Sequence, residues 1–348
     1  MTWTCAAIDH GVTFYQDGKI APCCIVDHTY RKDISELGND PFADLRTDTA
    51  PARCSTCVTM EKHGISSYRT QFNARKSTAQ GIQFIDIRNS NLCNIKCRVC
   101  GPSNSSRWNN DIVIKEDISD YKKFIVSASV QSIYYTGGEP FINVEHWELL
   151  QELVHTGYSK NINLVYNSNL TTLKFKDLDI FAIWKNFKSV SVMASIDAVG
   201  AKFNYIRSGA DFNKVEENLK LLKQAKVRIS IATTVSILNL WFIEELLVYF
   251  KDYQVTLTDL YYPDYFSLRA IPDSLTQQAL TCVDKIAKHY KDQGKIEYFR
   301  EQINNNTNQQ FFNDTLLHVL VFDKVNNENL FDLLPFKQEA IARAFENI

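Results

Sequence analysis

From about residue 82 onward, short β-rich runs alternate with amphipathic helical stretches. No other feature of the chain limits its fold as much. The runs are QFIDIR (83–88), SIYYT (132–136), INLVYN (162–167), VSVMASID (190–197), VRISIATTV (227–235) and VTLTDLYY (255–262). Helical patterns such as VEHWELLQELVHT and FNKVEENLKLLKQAK lie between them. In the second, Phe212, Val215, Leu219 and Leu222 share one face, with charges opposite. Strands alternating with helices make βα units and a parallel sheet. Six units are two short of a closed eight-fold barrel, so the expected fold is α/β, an open, partial (β/α)6 barrel over residues 81–265. Residues 266–348 read as a mostly helical region, with NNNTNQQ (304–310) as a surface turn.

Residues 1–80 have a different character and read as a small cysteine-bound domain. VTFY, QDGK and IAPCC form a strand–turn–strand signal, with Asp17-Gly18 as the hairpin cue. The core is thin there, and a metal centre would staple it.

The chain has 348 residues and is 45% hydrophobic, enough for a sizeable core. Its 38 basic and 40 acidic residues leave a net charge of −2, which gives no support for nucleic-acid binding driven by charge. The opening MTWTCAAIDH lacks the basic and apolar regions of a secretory signal. No apolar run approaches the roughly 18 residues of a membrane span. A cytoplasmic protein without membrane contact is expected, in a compartment that keeps thiols reduced.

Nine cysteines in such a compartment point to metal, catalysis or burial. Eight of them fall in the first 100 residues, which favours ligands over scattered packing residues. Cys282, alone in the helical pattern TQQALTCVDKIAKHY, reads as core.

NLCNIKCRVC (91–100) follows the first barrel strand directly, on the loop where such folds place their chemistry. Cys93, Cys97 and Cys100 are three thiols with gaps of three and two. Zinc sites pair C-x₂-C with a second pair or with histidines, and the nearest histidine, His63, lies thirty residues back. Three thiolates on a four-iron cluster leave one iron open for a substrate or cofactor. The next βα loop, YYTGGEP (134–140), carries Gly137 and Gly138, whose missing side chains let backbone approach a ligand. Glu139 adds an acceptor suited to a free amino group.

CNIKCRVC resembles the C-x₃-C-x₂-C signature of radical S-adenosylmethionine (radical SAM) enzymes, and TGGEP their motif for the SAM amino group. The resemblance spans residues 83–260. SNL (168–170) is similar to the motif after the third strand, with Asn169 the implied contact. SIDA (195–198) falls where the family has a strand-end contact, which implies Ser195, and YIRSG (205–209) places Arg207 where relatives hold the SAM carboxylate. Val99 replaces the common aromatic before the third cysteine, near the implied adenine position.

Cys5, PCC (22–24) and RCSTC (53–57), followed by HGISSYR, resemble a twitch domain, the shortened form of the SPASM domain. That resemblance implies a second four-iron cluster on Cys5, Cys54, Cys57 and one of Cys23 and Cys24. Adjacent cysteines point to opposite sides of a strand, so one of the pair is a bystander, and Cys23 is the favoured ligand. A zinc site there is the alternative.

The implied activity is reductive cleavage of SAM to a 5′-deoxyadenosyl radical that takes a hydrogen atom from a substrate. The substrate is expected to be a peptide or protein, with a small alcohol or sugar-like molecule as the alternative. A flavodoxin or ferredoxin is the expected electron donor. YYPDYFSLRAIP (261–272) offers Arg269 and its tyrosines as substrate contacts. A zinc-binding scaffold with an inactive barrel is the non-enzymatic reading. His10, His28 and His63 read as surface or packing residues.

Overall fold

In the computed structural model, residues 3–75, 80–304 and 309–334 are described. They fall into two compact units. The first holds Met1–Asn94, Gly101–Met193 and Asn218–Ile229; the second holds Ile95–Cys100, Ala194–Glu217 and Ser230–Ile348.

The first unit is built on a sheet whose strands alternate between an apolar and a polar face. In chain order these are β1 (Gly11–Tyr15), β2 (Lys19–Ala21), β3 (Lys32–Asp33), β4 (Phe84–Arg88), β5 (Ser132–Tyr135) and β6 (Asn163–Ser168). A small hairpin, β7 (Lys174–Phe175) and β8 (Leu178–Asp179), precedes β9 (Ser189–Ser195), which neighbours β6. The order is β9-β6-β5-β4-β1-β2-β3. β1, β4, β5 and β6 run parallel, and β2 and β3 are antiparallel. Ile85, Ile87, Ile133, Tyr135, Leu164 and Tyr166 form the buried face. The helix Val144–His155 contributes Trp147, Leu149, Leu150 and Leu153, all about fully buried. On the other face the register aligns Thr13, Asp86, Tyr134 and Val165.

The expected N-terminal hairpin is present: Thr13 pairs with Ala21 and Phe14 with Ile20 around Gly18, whose φ is +71°. Its setting differs from the expected separate domain over residues 1–80. β1 pairs with β4 in parallel over five residues, so the segment extends the barrel sheet by three strands, β1, β2 and β3. The apolar side chains Val12 and Phe14, buried on that strand, gave no sequence signal for which sheet they would join.

The second unit contains β10 (Arg228–Val235, from Ser230 on) and β11 (Gln254–Asp259), paired in parallel. The helices Asp273–Ala287, Gln293–Asn304 and Gln309–Asn326 make the expected helical C-terminal region. Residues 305–308 of the expected surface turn lie outside the described residues. Cys282 is half-buried, and so does not form core as expected, because its helix position lies beside the buried face of Leu275, Ala279, Val283 and Ile286. Among the described residues no helix is long and apolar enough to cross a membrane.

Candidate functional site

The loop CNIKCRVC is shared by the two units, with Cys93 in the first and Cys97 and Cys100 in the second. All three are half-buried.

In the first unit the GGEP loop packs on the start of the cysteine loop. Gly138 N–H donates to Ser90 O at 2.9 Å and Glu139 N–H to Leu92 O at 2.6 Å. A Cβ on Gly138 would stand 2.0 Å from Leu92 O, and one on Gly137, whose φ is +102°, 2.8 Å from Ser90 O. The glycines were expected to clear space for a ligand. The space they clear is filled by the backbone that leads to Cys93, because only residues without Cβ permit that approach.

Glu139 was expected as an acceptor for an amino group. Its buried carboxylate accepts from Ser168 Oγ and Asn169 N–H, both at 2.8 Å, and from Phe141 N–H at 3.2 Å. It thereby ties the GGEP loop to the SNL loop. Asn169 in turn directs Nδ2 to Asn94 Oδ1 at 2.9 Å and toward Cys93 Sγ at 3.9 Å. Its Oδ1 accepts from Thr171 N–H and Oγ1. Ser168, which reaches Glu139, and Asn167, whose buried Oδ1 has no hydrogen-bond partner, were missed from sequence. Their place beside Asn169 at the end of β6 was the available signal.

In the second unit Arg207 follows the helix Gly200–Ile206. Its Nη1 points at Cys97 Sγ, 3.8 Å away, and its Nη2 pairs with Asp197 Oδ2 at 2.8 Å. Burial opposes its charge, but Asp197 and Cys97 outweigh that effect and hold its pKa above the ordinary value. Buried Nε has no partner. Asp197 was missed, although SIDA contains it. It also accepts from Thr234 N–H at 2.9 Å. Ser195 ends β9 half-buried, and Val99 is half-buried in the cysteine loop. Arg269, offered as a substrate contact, pairs with Asp264 at 2.7 Å, while Tyr261 and Tyr262 are 51% and 83% exposed.

Cys5, Cys23, Cys54 and Cys57 line one cavity together with Trp3 and Arg69. Cys24 does not line it. Burial, resisted by Arg88 and reinforced by Asp86, pushes its thiol pKa up to about 12. Among the described residues no three His, Cys, Asp or Glu side chains stand close enough to hold a single metal ion as they are. Of the nearby histidines, His10 Nδ1 bonds Gly81 O and His63 Nδ1 bonds Thr59 O, so both serve the local backbone. His28 is exposed beside Asp27.

This arrangement coincides with a recognisable class. Residues 89–247, a little under half of the chain, match the Radical SAM superfamily. The matched segment is similar to a radical SAM domain, a family whose members use a four-iron cluster and SAM. Among curated proteins it is similar to the GTP 3',8-cyclase of Peptoclostridium acidaminophilum, 28% identical over 40% of this chain and 42% of that protein. It is also similar to the GTP 3',8-cyclase of Helicobacter pylori, 24% identical over 60% of this chain and 64% of that one. The chain thus spans less than two thirds of either relative. Among solved structures, Streptococcus suis SuiB bound to the precursor peptide SuiA aligns with TM-score 0.42 at 14% identity, over 66% of this chain and 49% of that one.

Proposed function

We propose that this protein binds SAM at a four-iron cluster held by Cys93, Cys97 and Cys100 and uses it to abstract hydrogen from a substrate. The observation that carries the reading is that the matched segment, residues 89–247, encloses the three cysteines and every expected SAM contact. When bound, the cluster and SAM supply a 5′-deoxyadenosyl radical that takes a hydrogen atom from a C–H bond.

The chain's own residues position these groups. The Cys93, Cys97 and Cys100 thiolates would hold the cluster. Asn169 and Arg207 direct donors at two of those sulfurs, which suits thiolates and stabilises their charge. Arg207, with a free Nε, is assigned to the SAM carboxylate. The Gly137–Gly138–Glu139 loop is assigned to the amino side, Ser195 and Asn169 to the sugar, and Val99 to the adenine. The fit of the group rests on the orphaned Arg207 Nε and on the two sulfur-directed donors.

A second four-iron cluster is proposed on Cys5, Cys23, Cys54 and Cys57, supported by their shared cavity. Four thiolates close such a cluster, which fits electron transfer or a structural staple. The proposed substrate is a peptide or protein, supported by the exposed Tyr261 and Tyr262 beside the end of β11. GTP is the second reading, favoured by the names of two relatives. A flavodoxin or ferredoxin is the proposed one-electron donor.

The test is 5′-deoxyadenosine formation by protein reconstituted without oxygen, with the metal content counted. The Cys93→Ala/Cys97→Ala/Cys100→Ala variant is expected to form none and to keep about four irons. Continued formation in that variant rejects the assignment, and a chain carrying zinc alone is a scaffold.

A further inference from the structure

Arg98 sits between Cys97 and Cys100, and it is among the most deeply buried charged residues of the second unit, at 3% exposure. A guanidinium does not enter such a place without charged partners. Here Nη2 donates to Glu328 Oε2 at 2.6 Å and Nε to Tyr205 O at 2.8 Å, while Nη1 is ion-paired with Asp323 Oδ1 at 2.8 Å without hydrogen-bond alignment. The charged plane lies 3.5 Å over the Tyr205 ring and 4.2 Å over Phe322. Asp323 is itself fixed, since it accepts from Tyr205 OH at 2.9 Å and from Leu330 N–H at 2.8 Å.

Backbone bonds add to this clamp. Lys96 N–H donates to Ser208 O at 2.8 Å, and Arg98 N–H donates to Ile206 O at 2.9 Å. The same short stretch therefore carries Cys97 and Cys100, is laddered to the segment holding Arg207, and is anchored through one side chain to the helix Gln309–Asn326 and the residues just after it. Around Arg98 one guanidinium faces two carboxylates, with Lys96 Nζ 5.6 Å over the same Phe322 ring, in the stretch of chain that carries Cys97 and Cys100.

We infer that Arg98 is a positioning residue that locks the Cys97–Cys100 stretch to the C-terminal helix, and that its balance with Asp323 and Glu328 sets the reduction potential of the cluster on those cysteines. The inference rests on the proposed ligand assignment. A cluster gains negative charge on reduction, so a nearby positive charge favours the reduced form and a negative one opposes it. Removing Arg98 lowers the potential, and neutralising Glu328 raises it. A residue that merely stiffened the loop would not produce shifts of opposite sign. Glu328 is 31% exposed, so its shift is the smaller of the two.

The experiment uses the full chain, reconstituted without oxygen, and reads only the electron paramagnetic resonance signal that changes when SAM is added. That signal reports the cluster with an open iron. The midpoint potential and the lifetime against an iron chelator are measured for Arg98→Met, Arg98→Lys and Glu328→Gln. Arg98→Met is expected to lower the midpoint and shorten the lifetime at least tenfold, because it also leaves Asp323 without its counter-charge. Glu328→Gln is expected to raise the midpoint with a smaller loss of lifetime. Arg98→Lys keeps the charge but not the fork, and is expected to shorten the lifetime with the midpoint nearly unchanged.

Shifts of the same sign in Arg98→Met and Glu328→Gln, or none in either, overturn the inference. Should Arg98→Met fail to fold by circular dichroism, an unchanged midpoint in Glu328→Gln together with a wild-type lifetime in Arg98→Lys overturns it equally. Loss of the SAM-responsive signal in the triple cysteine variant confines such a failure to the Arg98 inference. Persistence of the signal there rejects the ligand assignment and the inference with it.

Discussion

Asp197 holds the Arg207 guanidinium at 2.8 Å and leaves the buried Nε of Arg207 without a hydrogen-bond partner. The pair fixes the side chain from one edge and keeps a donor available on another. An anionic ligand that meets Nε gains a charge-assisted bond at little entropic cost, because the fork is already held. Arg207→Gln is expected to weaken SAM binding about tenfold to a hundredfold, the loss of a hydrogen bond to a charged group. Arg207→Lys recovers only part of it, since an ammonium cannot present the same edge. Titration calorimetry on reconstituted protein measures both, and wild-type affinity in Arg207→Gln removes the residue from the site.

Cys23 and Cys24 are neighbours with different surroundings, which makes them a paired control. Cys23 lines the cavity with Cys5, Cys54 and Cys57, whereas Cys24 lies outside it under the electrostatic influence of Arg88 and Asp86. Cys23→Ala is expected to lower the iron count by about four per chain, and Cys24→Ala to leave it unchanged. Equal counts in the two variants leave the cavity without an iron centre. A loss confined to Cys24→Ala reverses the assignment within the pair.

Most of the barrel was legible because each strand announces itself locally. Ile85 and Ile87 alternate with Asp86 and Arg88, and the four residues define a strand and its two faces without reference to anything distant. The three-cysteine loop was legible for the same reason, being contiguous. What the sequence did not disclose was pairing across long separations. Nothing in VTFY says that β1 adds to β4, because the hydrogen bonds of a parallel pair are made by backbone and are blind to side-chain identity. The partner of the glycines was hidden on similar grounds: a Gly-Gly pair advertises close approach but not what approaches, here the Ser90 and Leu92 backbone. Arg98 drew no notice, since its partners Asp323 and Glu328 lie more than two hundred residues further along the chain.

Gly138 offers a direct test of that close approach. Its missing Cβ would stand 2.0 Å from Leu92 O and 2.4 Å from Leu92 C, both backbone atoms that cannot swing aside. Gly138→Ala must therefore displace the segment that leads to Cys93. The expected cost is about 3 kcal/mol or more, at the upper end of overpacking penalties. Gly64, with φ +69° and nothing within 4 Å, is the control. Gly64→Ala pays only the left-handed backbone penalty, about 1 kcal/mol. Thermal melting of the two variants, together with iron retention, separates them. Equal melting temperatures show that the loop yields without cost.

His146 is fully buried among rings, with Tyr135, Phe141, Trp147 and Tyr166 all within 6 Å between centroids. Its Nε2 meets Tyr166 OH at 2.8 Å, and Nδ1 has no partner. Burial pushes its pKa down to about 3. The folded chain therefore keeps a neutral imidazole where the unfolded chain takes up a proton below about pH 6.5. The unfolded state binds more protons in that window, so stability is fully present above pH 6.5 and falls as pH drops toward 3. The slope from this one group is about 1.4 kcal/mol per pH unit. Between pH 6.5 and 5, where most carboxylates stay ionised, His146→Gln is expected to lose stability less steeply than wild type by about that amount per unit. Urea titrations of both proteins across this range measure the difference. Parallel slopes mean that His146 gains its proton as readily in the folded chain as in the unfolded one, and that the ring cluster does not exclude the charged form.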